Sequence, residues 1–344
     1  MNKIKKILIV GYFSKNPEIY TYATSFYNIL SKLNYDVEKF DYRKNYTQNI
    51  SMLNINAYLI NIFLIKKVKK FKPDLIFFIK AESIFAKTIK YIKQNFKSYL
   101  VNFYPDNPFV FWNNNSNEQV LKSLPNYDCF LIWSQDLIKL LLMAGCKKVD
   151  YLPFGYDPDI FEQDIKITEQ DLHKYKSDVC FIGTWEKERE VWLTNLLEKM
   201  PDLDLKIWGN SWQENLTQNS ILISKIQKTA IYGEQAIKAF RLSKINLNFI
   251  RKQNLNSHNM RTFEIPASKS FLLTQRTEEQ ANFLFKENLN IECFSEIDEL
   301  EKKIKYYLLH ENLRQEIIKK SFIQAQNFKL KNLIENFLIK NFRI

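Results

Sequence analysis

The chain is poor in glycine, cysteine and histidine, and each shortage removes a class of site. Its 344 residues include six glycines, and no Gly-x-Gly-x-x-Gly fingerprint follows the first apolar run, which argues against a dehydrogenase. The four cysteines lie far apart without a Cys-x-x-Cys pair, so buried and reduced thiols are expected. The three histidines are scattered and no Asp-x-Asp pair ends a strand, so no metal-binding motif is present.

Long apolar runs are missing as well. Lys or Asn interrupts the longest of them within about ten residues, short of the ~20 that a membrane-spanning helix needs. Residues 1–10 supply lysines and only about five apolar residues, so the hydrophobic region of a secretory signal is absent. We therefore expect a cytoplasmic protein, whose basic charge permits a location at the inner face of the membrane.

The charge balance is basic. Lys and Arg number 50 against 38 Asp and Glu, an excess of 50 − 38 = 12 positive charges. Such an excess fits nucleic acid, an anionic membrane or a phosphorylated substrate. The lysines are spread over the predicted helix faces rather than gathered in one tract, which favours a solvated surface. We therefore expect no nucleic-acid partner.

What the chain does contain is a regular alternation of strand-like and helix-like segments. Strand-like segments occupy residues 6–10, 36–42, 73–80, 98–104 and 127–133, and then 177–183, 203–209, 243–250, 270–275 and 290–294, and those at 73–80, 98–104 and 127–133 are continuous apolar runs. Helical patterns lie between them, for example at 17–33 and 50–71, and about two helices follow residue 297. Apolar strands that alternate with helices are typical of parallel sheets covered on both faces.

The predicted fold class is therefore α/β, with two doubly wound, Rossmann-like domains facing a cleft. Residues 1–155 would form the first domain, 156–327 the second, and 328–344 a C-terminal helix that crosses back to the first. In such sheets ligands bind beyond the carboxyl ends of the strands. This rule selects the loops that follow six residues: Gly11, Lys80, Tyr104, Gly183, Gly209 and Ile250.

The stretch SHNMRTFE, residues 257–264, places candidate anion-binding groups at a predicted helix start. If the helix begins near Asn259, its unpaired N–H groups attract an anion, and His258 and Arg261 add charged donors there. Glu264, one turn later, lies on the same side as Arg261 and is placed to accept hydrogen bonds from a ribose diol. The alternative is that Glu264 pairs with Arg261 and that His258 caps the helix.

Several segments carry a resemblance to a known family. HNMRTFEIPASKSFLLTQRTEEQANFLF, DVCFIGTWEKERE, LKIWGNSW and LPFGYDPDIF resemble parts of the CgeB-like glycosyltransferases, similar to spore maturation protein CgeB, over roughly residues 98–310. The resemblance implies a GT-B fold and a nucleotide-sugar donor in the second domain. The first domain would bind the acceptor, which is a glycan, a lipid-linked glycan or a protein.

The resemblance also implies donor contacts around three strand ends, from Gly183, Thr184, Arg189, Trp208, Gly209 and Tyr232. Gly183 and Thr184 would line the diphosphate or the sugar, Arg189 would help to neutralise it, and Tyr232 would approach the base. Core packing is the alternative for Trp208. A surface pair with Glu186 or Glu188 is the alternative for Arg189.

The sequence departs from the family pattern at two places. The glycine turn expected after the helix is replaced by Ser268 and Lys269, although Lys269 is long enough to reach a phosphate. Related GT-B enzymes also often carry a glutamate eight residues before Glu264, where this chain has Asn256. The contacts to the donor sugar are therefore expected to differ.

A general base is expected from the first domain. Asp106, in the loop NFYPDNPF between two prolines, follows a predicted strand and is placed to take the proton of an acceptor hydroxyl. An Asx turn that shapes this loop is the alternative, and Glu82 is a second candidate base. Without a metal motif or a cofactor, the helix dipole and the cations would stabilise the departing nucleoside diphosphate.

Two other functions remain open at this stage. One is a nucleotide-sugar or nucleotide-binding module without catalysis, which the altered turn at Lys269 keeps open. The other is a basic nucleic-acid-binding protein, which would show salt-sensitive affinity for oligonucleotides.

Overall fold

A computed structural model describes residues 4–16, 19–44, 53–111, 116–227 and 229–342. The chain divides into two compact units. The first unit comprises Met1–Pro153, Lys252–Leu255 and Lys331–Ile344, and the second comprises Phe154–Arg251 and Asn256–Leu330. The sequence prediction placed boundaries between residues 155 and 156 and between residues 327 and 328, and did not assign residues 252–255 to the first domain.

The first unit is built on a six-stranded parallel sheet. Its strands are β1 (Lys6–Gly11), β2 (Asp36–Asp41), β3 (Leu75–Ile79), β4 (Tyr99–Tyr104), β5 (Cys129–Ile132) and β6 (Val149–Tyr151), in the order β2-β1-β3-β4-β5-β6. The first five match predicted strand-like segments. The sixth was missed, because three half-buried residues at a sheet edge leave no apolar run.

The second unit repeats the plan with five parallel strands. They are β7 (Ser177–Ile182), β8 (Leu205–Trp208), β9 (Ser243–Asn248), β10 (Leu272–Gln275) and β11 (Glu292–Phe294), in the order β11-β10-β9-β7-β8. All residues of β11 are buried, as are those of β3 in the first unit, and each of β7, β8 and β9 has one residue that is not buried, namely Asp178, Lys206 and Lys244. Continuous burial explains why these strands were visible in the sequence.

Helices connect the strands and cover both sheets. They are α1 (Tyr22–Lys32), α2 (Leu53–Phe71), α3 (Ala86–Asn95), α4 (Glu118–Ser123), α5 (Asp136–Met143), α6 (Pro158–Phe161), α7 (Glu169–Tyr175), α8 (Lys187–Lys199), α9 (Trp212–Asn215), α10 (Gly233–Leu242), α11 (Arg261–Ala267), α12 (Ile297–Leu309), α13 (Glu311–Ala325) and α14 (Leu330–Asn341). The predicted start of α1 at Pro17 lies outside the described residues. Three helices rather than two follow residue 297.

The C-terminal helix α14 packs on the first unit. Lys340 Nζ lies 2.8 Å from a carboxylate oxygen of Asp150, next to strand β6. The Phe337 ring contacts Phe77 at 5.7 Å between centroids. The last turn of the chain therefore belongs to the core of the unit in which the chain begins.

Both sheets have the same strand order when each is numbered from its own first strand, namely 2-1-3-4-5 with one further strand in the first unit. In this order the strands that follow the first strand and those that follow the third lie toward opposite edges of the sheet. Ligands of such folds bind beyond the carboxyl ends of these two strands. The two switch points are therefore β1/β3 in the first unit and β7/β9 in the second. The predicted α/β fold class is confirmed.

Burial of the four cysteines agrees with the sequence prediction. Cys129, Cys146, Cys180 and Cys293 are free and buried. Burial raises the pKa of each thiol to about 12, so each is protonated at neutral pH. Within the described residues, no helix has the length and apolar character needed to cross a membrane.

Candidate functional site

Two glycines allow the loops after β7 and β8 to touch. The Gly183 N–H donates to the Trp208 carbonyl at 2.8 Å. Gly209 has φ +154°, and a Cβ added there would lie 2.0 Å from the Gly183 carbonyl oxygen. A side chain at Gly209 would thus collide with backbone, so this close approach requires glycine.

Further hydrogen bonds hold these two loops together. The Trp212 indole donates to the Gly183 carbonyl at 2.8 Å, and the Trp185 N–H donates to the Asn210 carbonyl at 2.9 Å. The Asn210 side-chain amide donates to the Tyr232 hydroxyl at 3.1 Å. The loops therefore form one connected layer at the carboxyl edge of the sheet.

This layer borders a pocket of about 430 Å³, which we call the β8 pocket. It is lined by residues of the β8 loop, of α9 and of the segment before α10, namely Gly209, Asn210, Ser211, Trp212, Gln213, Glu214, Ile226, Gln227, Thr229, Ala230 and Tyr232. Its volume lies within the usual range for small-molecule sites. Two of the predicted donor contacts, Gly209 and Tyr232, line it together.

Three arginines gather beside the turn that follows β7, and we call them the arginine cluster. Arg189 Nη1 donates to the Thr184 carbonyl at 2.7 Å, and Arg261 Nε lies 3.4 Å from the Ile182 carbonyl. Arg251, three residues beyond the end of β9, forms an ion pair with Glu186 at 2.6 Å. The cluster thus lies at the β7/β9 switch point of the second unit.

Arg189 is the most buried member of the cluster. Burial lowers the pKa of its guanidinium to about 10, Glu186 opposes that shift, and the charges of Arg251 and Arg261 add to it. Its Nε lies 3.7 Å from Glu186, and its guanidinium lies over the Phe181 ring. The predicted alternative of a surface pair is therefore only half right, because the glutamate is a partner but the arginine is buried.

Sequence reasoning missed Arg251. It selected the loop after Ile250 by the strand-end rule but gave no role to the residue that begins it. The signal was present, since an arginine immediately after a central parallel strand points to the edge where ligands bind. A single arginine in a Lys-rich sequence is nevertheless a weak local signal.

Arg261 and Glu264 form an ion pair on α11. Glu264 is buried, whereas the Arg261 side chain keeps 26% of its surface exposed. The pairing that was predicted as an alternative is therefore present, and it places an exposed guanidinium over a buried carboxylate. The hypothesis that Glu264 binds a ribose stays a prediction.

The expected role of His258 as a charged donor to an anion is wrong. Its side chain is fully buried, and its ring lies edge-on against Phe154 and Phe263. Nε2 accepts a hydrogen bond from the Phe154 N–H at 3.2 Å, and burial lowers its pKa despite the nearby Glu279. A neutral, buried acceptor cannot grip a phosphate, so His258 stabilises the fold instead.

Asn259 and Trp208 also have structural partners. The Asn259 amide donates to the Asn248 side chain at 2.8 Å and to the Phe249 carbonyl at 3.2 Å, which ties the start of α11 to the end of β9. The Trp208 ring is buried and contacts Tyr175. For Trp208 the core-packing alternative therefore describes the side chain, while its carbonyl holds Gly183.

The turn after α11 keeps a glycine-like backbone without glycine. Lys269 has φ +59°, in the left-handed region that glycine adopts most easily. Its Nζ lies 5.2 Å from the centroid of the Phe322 ring on α13, so it is engaged there rather than at the arginine cluster. The departure from the family pattern therefore changes the residue and preserves the conformation.

In the first unit, Glu82 lies at the carboxyl edge with two partners. Its carboxylate accepts from the Tyr42 hydroxyl and from Arg43 Nη2, both at 2.6 Å. Burial, followed by the charge of Glu82, raises the pKa of Tyr42 well above its usual value, so the phenol stays protonated as a donor. Sequence reasoning named Glu82 but not these two partners.

Asp106 lies after the neighbouring strand β4, paired with Lys80 at 2.7 Å. The Trp133 indole reaches the Asp106 carbonyl at 3.4 Å. Lys80 and Ala81 both have left-handed φ, +63° and +62°, which is strained for residues with a Cβ. The strained turn holds the lysine against the aspartate, and the predicted base has a competing cation on its carboxylate.

Among the described ranges, no group of three or more His, Cys, Asp or Glu side chains is placed to hold a metal ion. The expectation of a metal-independent reaction remains a prediction.

Comparison with known proteins assigns a family model to part of the chain. Residues 189–332, less than half of its length, match the model described as glycosyl transferase-like. All three members of the arginine cluster fall within this segment. No curated protein sequence matches the chain.

Solved structures match nearly the whole chain at low identity. Sucrose-phosphate synthase from Thermosynechococcus elongatus gives a TM-score of 0.72 at 12% identity, over 98% of each chain. A glycosyltransferase from Rickettsia africae gives 0.66 at 15% identity, over 98% of each chain. Anabaena HepE in complex with UDP-glucose gives 0.65 at 13% identity, over 97% of this chain and 98% of HepE.

The fold is GT-B. The family match and the structural neighbours together support a GT-B glycosyltransferase, which is coarser than the CgeB-like family that the sequence resembles. At these identities the structural likeness establishes the fold alone. The GT-B fold makes the arginine cluster and the β8 pocket candidates for a ligand site. Both lie at the edge of one Rossmann-like unit at which such folds bind ligands.

Proposed function

We propose that this protein is a glycosyltransferase that binds a nucleoside diphosphate sugar in its second unit and transfers the sugar to a hydroxyl group. The observation that carries the proposal is the arginine cluster beside the β8 pocket. Cationic donors next to a pocket suit a ligand that joins a diphosphate to a nucleoside. The glycosyl transferase-like match covers the same segment.

The diphosphate would bind at Arg261 and Arg251. Their side chains are 26% and 35% exposed, whereas Arg189 is largely buried. Glu264 and Glu186 partly neutralise them. Guanidinium groups grip phosphates with two parallel hydrogen bonds, so a diphosphate is a strong competitor for these donors. Arg189 would hold the β7 turn through Thr184.

The nucleoside would occupy the β8 pocket. Asn210, Gln227 and Tyr232 supply polar groups there, and Gly209 lets the ligand approach the backbone. The pocket and the cluster are adjacent, since Gly209 touches Gly183 and a Cβ at Gly183 would lie 3.3 Å from Arg189 Nη1. The remaining acceptor capacity of Glu264 would serve the ribose.

Transfer breaks the bond between the anomeric carbon and the diphosphate oxygen and forms a bond to the acceptor oxygen. The acceptor hydroxyl loses its proton to a carboxylate of the first unit, for which we propose Asp106, with Glu82 as the alternative. The arginines would stabilise the charge on the departing diphosphate, so that neither a metal nor a cofactor is needed. The acceptor is proposed to be a glycan, a lipid-linked glycan or a protein.

Calorimetry with UDP and UDP-glucose tests the donor site. UDP-glucose is the first choice because HepE was solved with it. Arg261→Ala should weaken binding by about 1.5 to 3 kcal/mol, the contribution of a charged hydrogen bond, which is roughly 10- to 150-fold. The matched control is Arg241→Ala, since Arg241 donates to the Gln163 and Ser268 carbonyls instead.

Equal affinity in wild type and Arg261→Ala, with both folded, would remove Arg261 from the donor site. If wild type binds neither UDP and UDP-glucose nor other nucleoside diphosphate sugars, the proposed function is wrong. Binding with neither hydrolysis nor transfer across a broad acceptor panel would favour the non-catalytic binding module.

A further inference from the structure

Helix α2 of the first unit carries an exposed stripe that changes from apolar to basic along its length. Ile55, Tyr58 and Ile62 are 48%, 53% and 47% exposed, and Lys66 and Lys69 continue the same face. Spacings of three and four residues place these side chains on one narrow strip of the helix. The buried face consists of Ile60, Leu64, Val68 and Phe71.

The basic end of the stripe borders a cationic groove. The groove has a volume of about 620 Å³ and is lined by six lysines, Lys15, Lys39, Lys44, Lys66, Lys67 and Lys70. Asp41 is its one lining carboxylate, and Lys67 pairs with Glu38 nearby. Helix α2 itself contains no acidic residue. This side of the first unit is therefore strongly positive.

The apolar end of the stripe also has a cation beside it. The Tyr58 ring contacts the Phe85 ring at 5.2 Å, and Lys87 Nζ lies 5.0 Å from the centroid of the Tyr58 ring. Tyrosine with a neighbouring lysine is typical of the interface between lipid headgroups and acyl chains. A cation therefore lies beside the apolar end of the stripe as well as at its basic end.

We propose that this α2 stripe docks on an anionic lipid bilayer, with the helix lying along the surface. A soluble polyanion would use the lysines but would gain nothing from two exposed isoleucines. A bilayer uses both, because the isoleucines enter the boundary of the acyl region while the lysines contact lipid phosphates. The combination of apolar area and charge on one face is what selects the bilayer.

Vesicle sedimentation with the full chain tests this. Wild type should bind vesicles of phosphatidylcholine with phosphatidylglycerol, and bind vesicles of phosphatidylcholine alone at least about tenfold more weakly. Ile55→Gln/Ile62→Gln and, separately, Lys66→Gln/Lys69→Gln/Lys70→Gln should each lower binding to the anionic vesicles by about tenfold or more. All changed side chains are exposed, so the unfolding midpoint should stay near that of wild type.

Matched controls come from the second unit. Leu309→Gln/Ile323→Gln removes two exposed apolar side chains, and Lys286→Gln/Lys302→Gln/Lys305→Gln removes three exposed charges. Neither control should change binding by more than about twofold, since both lie outside the stripe. Losses equal to those of the α2 variants would overturn the proposal.

The two α2 variants also separate the bilayer from a soluble polyanion. If the lysine variant loses binding while the isoleucine variant keeps it, and heparin competes fully, the groove is a polyanion site and the proposal fails. The assay measures no sugar binding or transfer. Docking and the proposed function therefore fail or succeed separately.

Discussion

The two units use one strand order to present opposite chemistry. At the β7/β9 switch point of the second unit, three guanidinium groups surround a glycine turn. At the β1/β3 switch point of the first unit, the glutamate of a strained turn is held by a phenol and a guanidinium. The comparison teaches that the topology fixes where a site lies, while the residues that end the strands decide what it binds.

Close backbone packing separates the two edges further. In the second unit, Gly183 and Gly209 let two loops meet. In the first unit, the turn after β3, the strand that corresponds to β9, uses Lys80 and Ala81 in left-handed conformation without glycine. Under the proposed function, the second-unit edge would need open backbone to admit a diphosphate, and the first-unit edge would need fixed side chains to hold a carboxylate. The following predictions separate these two roles.

Gly209→Ala should have the largest effect on stability. Its Cβ would meet the Gly183 carbonyl at 2.0 Å, so the free energy of unfolding should fall by about 2 to 4 kcal/mol, with donor binding lost. In the first unit, Gly145→Ala should cost only about 1 to 2 kcal/mol, because a Cβ there meets only the Pro125 ring, 3.2 Å away. Urea unfolding measures both. Equal losses would show that the contact between the β7 and β8 loops has no special weight.

Asp106→Asn should reduce turnover without changing donor affinity. Loss of a general base lowers the rate constant by about 100-fold, and the change lies in the first unit, whereas the arginine cluster belongs to the second. Steady-state kinetics and calorimetry with the same donor separate the two quantities. If Glu82→Gln abolishes turnover and Asp106→Asn does not, Glu82 is the base and Asp106 only anchors Lys80.

The free energy of unfolding should decrease on acidification, and the size of the decrease should depend on His258. Burial lowers its folded-state pKa below the unfolded value of 6.5, so the unfolded chain binds the proton more readily. The stabilisation is complete above that value and decreases as the pH falls through it. All three histidines, His173, His258 and His310, lie in the second unit, so the effect belongs to that unit.

Comparison with His258→Gln isolates this group. Glutamine offers an acceptor to the Phe154 N–H but does not titrate. Its free energy of unfolding should be lower than that of wild type at about pH 7.5, and should decrease less on acidification to about pH 5.5. Equal pH dependence in both proteins would show that His258 is not buried in neutral form.

The sequence predicted ten of the eleven strands in the described residues, most of them because buried parallel strands are rich in apolar residues. The donor-side loops followed from the rule for strand ends. The structural role of His258 could not be predicted, because its partner Phe154 is 104 residues away and a local sequence pattern cannot show such contacts. The pairing of Asp106 with Lys80 depends likewise on the register of β3 and β4. Local sequence thus gave the positions of the candidate site, and long-range packing decided which side chains reach it.

Glycine at the two strained turns should have the smallest effect. Lys269→Gly in the second unit and Ala81→Gly in the first each relieve a left-handed conformation, which costs an L-residue about 1 to 2 kcal/mol. Glycine also raises the entropy of the unfolded chain by about 0.5 to 1 kcal/mol, so the net gain should be about 0.5 kcal/mol in each unit. Urea unfolding measures the gain. A loss of stability in Ala81→Gly but not in Lys269→Gly would mean that the first-unit turn depends on the buried methyl group of Ala81. In that case only the turn in the second unit would accept glycine without a loss.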